Sequence, residues 1–173
     1  MQMLATNNSP YPPIQVEGKN AYYARLMLSN VGGRNSEMGA VSTYFYNSVM
    51  LKDESIAKLF HQVSLVEMRH LEIFAQFTRL LGQDPRLWKQ EGRRHIYWNA
   101  CYNHYAGTPQ AIMQQAILGE RAAIEKYERQ MAVIDDPHIV KMLERIIQDE
   151  QLHVQAFTQI YQKLCKNCPP ILP

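Results

Sequence analysis

Apolar residues recur at spacings of three and four along most of the chain, and the two-residue alternation of a half-buried strand is nearly absent. Residues at those spacings share one helix face, so the pattern predicts an all-α protein. One apolar stripe consists of Leu59, Val63, Glu67, His70, Phe74, Phe77 and Leu81. A second consists of Ile139, Leu143, Ile146, Glu150, His153, Phe157, Ile160 and Leu164. In both stripes a glutamate and a histidine, three residues apart, interrupt an otherwise apolar face.

Four helices are predicted, over about residues 20–51, 53–82, 108–134 and 137–164. The first is expected to be interrupted at Gly32-Gly33. Thr108 and Asp136 each precede a proline, which is the pattern of an N-cap followed by proline at the first helical position. Residues 83–107 form a long connection, and residues 165–173 form a short tail rich in cysteine and proline. A length of 173 residues predicts a single domain over residues 1–173.

The second half of the chain repeats the first at an offset of 83 residues. This offset relates Glu37 to Glu120, Tyr44 to Tyr127, Glu67 to Glu150 and His70 to His153. We interpret the repeat as one helical hairpin present twice, over about residues 20–82 and 108–165. Within each hairpin the two glutamates are 30 residues apart, and the midpoint falls at a turn signal. Both carboxylates therefore lie at one depth, roughly 22 Å from the turn. Two such hairpins joined by a long crossover predict a four-helix bundle.

The buried acids and imidazoles of this bundle predict a site for two metal ions. An unpaired buried carboxylate costs several kcal/mol, so an opposite charge has to offset it. The predicted ligands are Glu37, Glu67, His70, Glu120, Glu150 and His153. Four carboxylates balance two divalent cations. Ligand oxygens combined with imidazole favour iron or manganese, with zinc as a substitute that does not change its oxidation state.

Three segments resemble manganese catalases and the related spore-coat proteins. They are GGRNSEMGAVSTYFYNS, SLVEMRHLEIFAQFTRLLG and DDPHIVKMLERIIQDEQLHVQAF. The chain is similar to the ferritin-like superfamily over nearly its whole length. Rubrerythrin-type domains share the layout, including a tyrosine seven residues after the first-helix glutamate, as in Glu37 and Tyr44. Ala123 stands where rubrerythrins commonly carry a further glutamate, and one Cys-x-x-Cys replaces the two of a rubredoxin domain. In manganese catalases the glutamate matching Glu150 is thought to lie beside the metals.

This resemblance implies a dimetal oxidoreductase that acts on hydrogen peroxide or oxygen, either as a catalase or as a rubrerythrin-like peroxidase supplied by an electron-donor protein. The alternatives are a metal-storage or scavenging protein and a spore-coat-type structural protein that retains the site. A homo-oligomer is expected.

A net charge of +2 and the lack of a long apolar run predict no nucleic-acid partner and no membrane partner. Three cysteines and no recognisable signal peptide favour the cytoplasm.

Several residues keep alternative interpretations at this stage. Tyr44 and Tyr127 either donate hydrogen bonds to ligand carboxylates or pack as core tyrosines with satisfied hydroxyls. The aromatic segment HIYWNACYNHYAG either covers the bundle or lines a substrate channel. Cys165 and Cys168 are favoured to hold no metal; the alternatives are a redox-active dithiol and a four-cysteine site built by two chains. The remaining histidines, His61, His95, His104 and His138, are expected to be surface or packing residues.

Overall fold

The computed structural model describes residues 6–165 and residue 171. Five α-helices span Ala21–Gly32 (α1), Glu37–Met50 (α2), Glu54–Leu80 (α3), Pro109–Met131 (α4) and Pro137–Leu164 (α5). Two short strands, Trp88–Glu91 (β1) and Arg94–Tyr97 (β2), and a 3-10 turn at Ala100–Tyr102 lie in the connection between α3 and α4. No helix of the described chain is long and apolar enough to cross a membrane.

The helices begin where the sequence provides capping groups. The Asp53 side chain accepts from the backbone N–H groups of Ser55 and Ile56 at the start of α3. Asp136 and Thr108 cap α5 and α4 in the same way. Such side chains satisfy backbone donors that have no partner within the helix. The predicted first helix is indeed interrupted, because the chain leaves the helical conformation between α1 and α2, directly after Gly32.

The bundle consists of two antiparallel hairpins, with α1 and α2 against α3 and with α4 against α5. Their apolar faces form two buried clusters. One surrounds Phe74, Phe77 and Ile139. The other surrounds Phe60, Ile117 and Phe157. The four-helix bundle of two hairpins predicted from the repeat is confirmed, with the first helix interrupted between α1 and α2. The polar residues of the two stripes lie between the clusters.

The crossover between the hairpins contains a feature that the sequence pattern did not predict. Its strands β1 and β2 pair antiparallel, and Trp88 faces Tyr97. Strand β1 passes directly over the end of α1, where a Cβ on Gly32 would lie 2.3 Å from the backbone nitrogen of Trp88. A glycine is therefore required at this crossing. Strands of four residues are too short to show an alternating pattern among aromatic and basic side chains.

Candidate metal centre

Six side chains from four helices meet between the two apolar clusters. Helix α2 supplies Glu37, α3 supplies Glu67 and His70, α4 supplies Glu120, and α5 supplies Glu150 and His153. Each of them is 3% exposed or less. The spacing of three residues places the Glu and His of α3, and those of α5, on the inward face of their helix. The structure thus brings together all six residues that the sequence predicted as ligands.

The six residues form two groups that overlap. Glu37 and His70 belong to the first group, and Glu120 and His153 belong to the second. Glu67 and Glu150 belong to both. Within each group one ligand atom per residue lies within 4.8 Å of all the others. Two adjacent ions in these groups would have two carboxylates in common, one from each hairpin.

The distances between the donor atoms match those expected around a metal ion. Nδ1 of His70 lies 3.2 Å from Oε2 of Glu67 and 3.2 Å from Oε1 of Glu150. Nδ1 of His153 lies 2.9 Å from Oε2 of Glu150, 3.1 Å from Oε1 of Glu67 and 3.5 Å from Oε1 of Glu120. Metal–ligand bonds of about 2.0–2.2 Å place neighbouring ligand atoms about 3 Å apart. The two imidazoles therefore direct Nδ1 at the same carboxylates.

Two oxygen atoms of this site accept no well-directed hydrogen bond from the described residues, although an imidazole Nδ1 lies 3.1 Å from one and 3.2 Å from the other. They are Oε1 of Glu67 and Oε1 of Glu150, and both are buried. These are the two carboxylates common to both groups. A buried carboxylate oxygen without a donor is costly, and a cation removes that cost. The donor set of this chain therefore fits a pair of metal ions, manganese or iron.

Without metal, protons neutralise the centre. Burial and repulsion from Glu67 raise the pKa of Glu37 well above its ordinary value. Burial, with the charges of Glu67 and Glu150, raises the pKa of Glu120 to about 8. Although burial opposes it, the charge of Glu150 raises the pKa of His70 well above its ordinary value. Burial acts against the ionised form of Glu67 as well, but hydrogen bonds from both histidines lower its pKa. Metal binding would displace these protons.

A tyrosine hydroxyl contacts a carboxylate at each outer end of the centre. Tyr44 of α2 donates to Oε1 of Glu120 at 2.6 Å. Tyr127 of α4 donates to Oε1 of Glu37. Each bond connects the first hairpin to the second, and both tyrosines are buried. Burial together with the adjacent carboxylate raises the pKa of each tyrosine, so both hydroxyls keep their protons near neutral pH.

Asp149, which the sequence pattern did not predict as a functional residue, contacts the second ring nitrogen of His70. Oδ2 of Asp149 lies 3.2 Å from Nε2 of His70. The Tyr11 hydroxyl donates to the same oxygen at 2.6 Å, and Nη1 of Arg145 lies 2.8 Å from it. A proton on Nε2 of His70 leaves Nδ1 as the atom that can bind a metal. In the sequence, Asp149 stands directly before Glu150 in the segment DEQLH. The 83-residue offset relates Asp149 to Val66, so the repeat does not identify Asp149 as a functional residue.

The segment before α1 covers this side of the centre. The backbone N–H of Asn7 donates to Oδ1 of Asp149 at 2.6 Å. Arg145 donates to the carbonyl oxygens of Asn7 and Ser9 at 2.8 and 2.9 Å, and its guanidinium lies 4.4 Å from the centre of the Tyr11 ring. These contacts cover the Nε2 side of the His70 ring, which is fully buried.

The break between α1 and α2 positions Glu37 as the first residue of α2. Nζ of Lys126 in α4 donates to the carbonyl oxygen of Ser29, in the last turn of α1, at 3.0 Å and to that of Asn35, within the break, at 2.9 Å. Burial lowers the pKa of Lys126 to about 8. The lysine thus connects the loop to α4 close to the Tyr127–Glu37 contact.

Other predicted residues lie away from the centre. His61, His95 and His104 are exposed, and His138 is partly buried. The His95 ring stacks on Trp88, with ring centres 4.3 Å apart. Cys165 is disulfide-bonded, whereas the prediction for Cys168 falls outside the described residues. Ala123 is partly buried and packs against the cluster around Phe74.

Comparison with known families defines the class of the protein. The sequence profile of the rubrerythrin family matches residues 34–161, well over half of the chain. The chain therefore belongs to the rubrerythrin family. Together with the two overlapping ligand groups, this membership supports a dimetal oxidoreductase at the level of the family.

Particular relatives are consistent with the resemblance noted from sequence. A probable manganese catalase from Clostridium acetobutylicum is 26% identical over an alignment of 172 residues, which covers 87% of this chain and 75% of that protein. Protein CotJC from Bacillus subtilis is 24% identical over 170 residues, with 88% and 89% covered. The crystal structure of wild-type KatB, a manganese catalase from Anabaena, matches with a TM-score of 0.84 at 20% identity. That match covers 96% of this chain and 83% of KatB.

Proposed function

We propose that the protein is a catalase-like oxidoreductase that decomposes hydrogen peroxide at a pair of manganese ions. The observation that carries the proposal is the presence of Glu67 and Glu150 in both ligand groups. Carboxylates common to two sites would hold two ions close enough to act as a unit. The similarity to a probable manganese catalase supports manganese over iron.

The ligand roles follow from the two groups. Glu67 and Glu150 would bridge the ions, while Glu37 with His70 and Glu120 with His153 would each complete one site. A bound pair of manganese or iron ions supplies a two-electron change of oxidation state, which suits reduction and oxidation of peroxide. The protein would fix the geometry of the pair through its six ligands and the side chains that contact them.

The surrounding side chains prepare the site for this chemistry. Tyr44 and Tyr127 hold the carboxylates of Glu120 and Glu37 by hydrogen bonds from hydroxyls that remain protonated. Asp149 orients His70 through Nε2. Because these contacts are buried, the ligands are positioned before any ion binds, and little reorganisation is needed.

Oxygen release from hydrogen peroxide tests the proposal. The protein is loaded separately with manganese and with iron, and oxygen is followed with an electrode in the absence of any reductant. We expect sustained oxygen release with manganese. Turnover that requires a reductant would instead indicate a peroxidase with an electron-donor partner. No turnover with either metal would overturn the proposal and favour storage or a structural coat role.

We also propose that the chain self-associates. Phe45, Val49 and Met50 on α2 are 59%, 68% and 58% exposed, which is unusual for large apolar side chains on one helix. Sedimentation equilibrium should give a mass above that of one 20.1 kDa chain. A monomer at micromolar concentration would contradict this.

A further inference from the structure

An open cavity of about 320 Å³ leads from the surface to the metal centre between α2 and α4. Its lining includes the buried residues Glu37, Tyr44, Glu120 and Tyr127. The exposed residues Arg34 and His104 also line it. The cavity therefore connects solvent with the side of the centre where the two tyrosines lie.

Small side chains on the two facing helices keep this cavity open. Gly39 and Ala40 of α2 line it, as do Ala122 and Ala123 of α4. The 83-residue offset relates Gly39 to Ala122 and Ala40 to Ala123, so both halves of the repeat leave space at the same depth. The space is thus built into both hairpins.

The cavity is much larger than hydrogen peroxide requires. A single water-sized molecule needs roughly 10–15 Å³ of such space, and hydrogen peroxide has only two heavy atoms. The volume of about 320 Å³ falls at the lower end of the range for sites that bind small organic ligands. Peroxide alone would leave most of this space to solvent.

The lining combines apolar walls with a few polar atoms. Ile112, Ala116 and Leu118 contribute apolar surface. Ser36 also lines the cavity, and its buried hydroxyl has no hydrogen-bond partner in the described part of the chain. Ser36 is 8% exposed and stands at the N-cap of α2 without donating or accepting a capping hydrogen bond. An organic molecule with an apolar body and one small polar end matches this surface.

We infer that the cavity binds the apolar group of an alkyl or aryl hydroperoxide and presents its peroxide end to the centre. This inference rests on the proposed peroxide chemistry and names a second substrate class for the same site. The hydroperoxide accepts two electrons and two protons, its O–O bond breaks, and an alcohol and water form. Hydrogen peroxide supplies those electrons and protons and becomes oxygen. The overall reaction converts ROOH and H₂O₂ to ROH, H₂O and O₂.

A binding measurement tests the cavity without turnover. The probe is cumyl alcohol, the redox-inert product of cumene hydroperoxide, and the protein is loaded with zinc. Thr43 lines the cavity and is not among the six predicted ligands, so Thr43→Phe fills the space. Gln114→Phe adds the same side chain at an exposed position of α4 outside the lining. We expect saturable binding that Thr43→Phe weakens at least tenfold and Gln114→Phe leaves unchanged. Thr43→Leu replaces Thr43→Phe if the latter does not fold.

Turnover of the manganese-loaded protein provides the second measurement. We expect Thr43→Phe to lower the ratio of kcat/KM for cumene hydroperoxide to kcat/KM for hydrogen peroxide at least tenfold. Absence of cumyl alcohol binding, with oxygen still released from hydrogen peroxide, would overturn the inference and leave the proposed function intact. Binding that depends on Thr43, with neither peroxide consumed, would overturn the proposed function and the hydroperoxide assignment together.

Discussion

Tyr44 of the first hairpin donates a 2.6 Å hydrogen bond to Glu120 of the second. The repeat produces the reciprocal contact, in which Tyr127 of the second hairpin donates to Glu37 of the first. The two tyrosines therefore connect the hairpins at the same depth as the metal centre. Each carboxylate is oriented by a residue of the opposite half, so the geometry of the centre depends on correct docking of the hairpins.

Removal of one of these hydroxyls should weaken both stability and metal binding. Tyr44→Phe keeps the ring but leaves a buried oxygen of Glu120 without its donor, which costs about 1–3 kcal/mol. We expect a lower melting temperature and a metal affinity reduced by about 10–100-fold. Calorimetry and a chelator competition measure the two effects. Tyr46→Phe is the control, because the Tyr46 ring packs on Tyr105 outside the centre. Equal affinities in the two variants would contradict the role given to Tyr44.

Replacing a carboxylate that belongs to both ligand groups should remove more metal than replacing one that belongs to a single group. Glu67 belongs to both ligand groups, whereas Glu37 belongs to one. We therefore expect Glu67→Gln to lose both ions and Glu37→Gln to retain about one per chain, because glutamine keeps the shape but not the charge. Elemental analysis after dialysis gives the stoichiometry. His61→Ala changes an exposed histidine of the same helix and should keep both ions. Equal metal content in Glu67→Gln and Glu37→Gln would contradict the bridging assignment.

Asp149 should act on the metal through His70. Its carboxylate is fully buried and contacts Nε2 of His70, the Tyr11 hydroxyl and Arg145. Asp149→Asn removes the charge that orients the imidazole, so we expect metal affinity to fall about 10–100-fold. It also removes the ion-pair partner that Arg145 has among residues 6–165, and breaking such a buried pair costs about 3–5 kcal/mol. Asp135→Asn, at an exposed turn residue, is the matched control. Unchanged metal affinity in Asp149→Asn would show that His70 is positioned without it.

The contrast between these residues shows what the sequence could predict. Glu37 and Glu120 were found because the repeat placed identical residues at identical depths, and buried charge requires a partner. Asp149 has Val66 at the matching position, so a search based on the repeat passes over it. The strand pairing of Trp88 with Tyr97 also lacked a signal, because tertiary contact with Gly32 rather than periodicity fixes it. The ligands that occur in both halves were thus predictable from the repeat, whereas Asp149 and the strand pair, which occur in one half only, were not.

The stability of the metal-free protein should fall as the pH rises from about 6 to about 8.5. The folded state raises the pKa of Glu120 from 4.5 to about 8, so across that window it binds more protons than the unfolded chain. Stability then decreases with pH. His70 and His153, whose pKa values lie well above 6.5 in the folded state, act in the same direction. The lowered pKa of Glu67 acts oppositely but only below about pH 4.5, where its stabilising effect is lost on acidification.

Metal ions bind the deprotonated ligands, so the rise in melting temperature on adding manganese should grow over the same range. Differential scanning calorimetry with and without metal measures both trends, and Glu120→Gln should flatten the first. A metal-free melting temperature that increases from pH 6 to 8.5 would mean that the buried carboxyls are already ionised before metal binds.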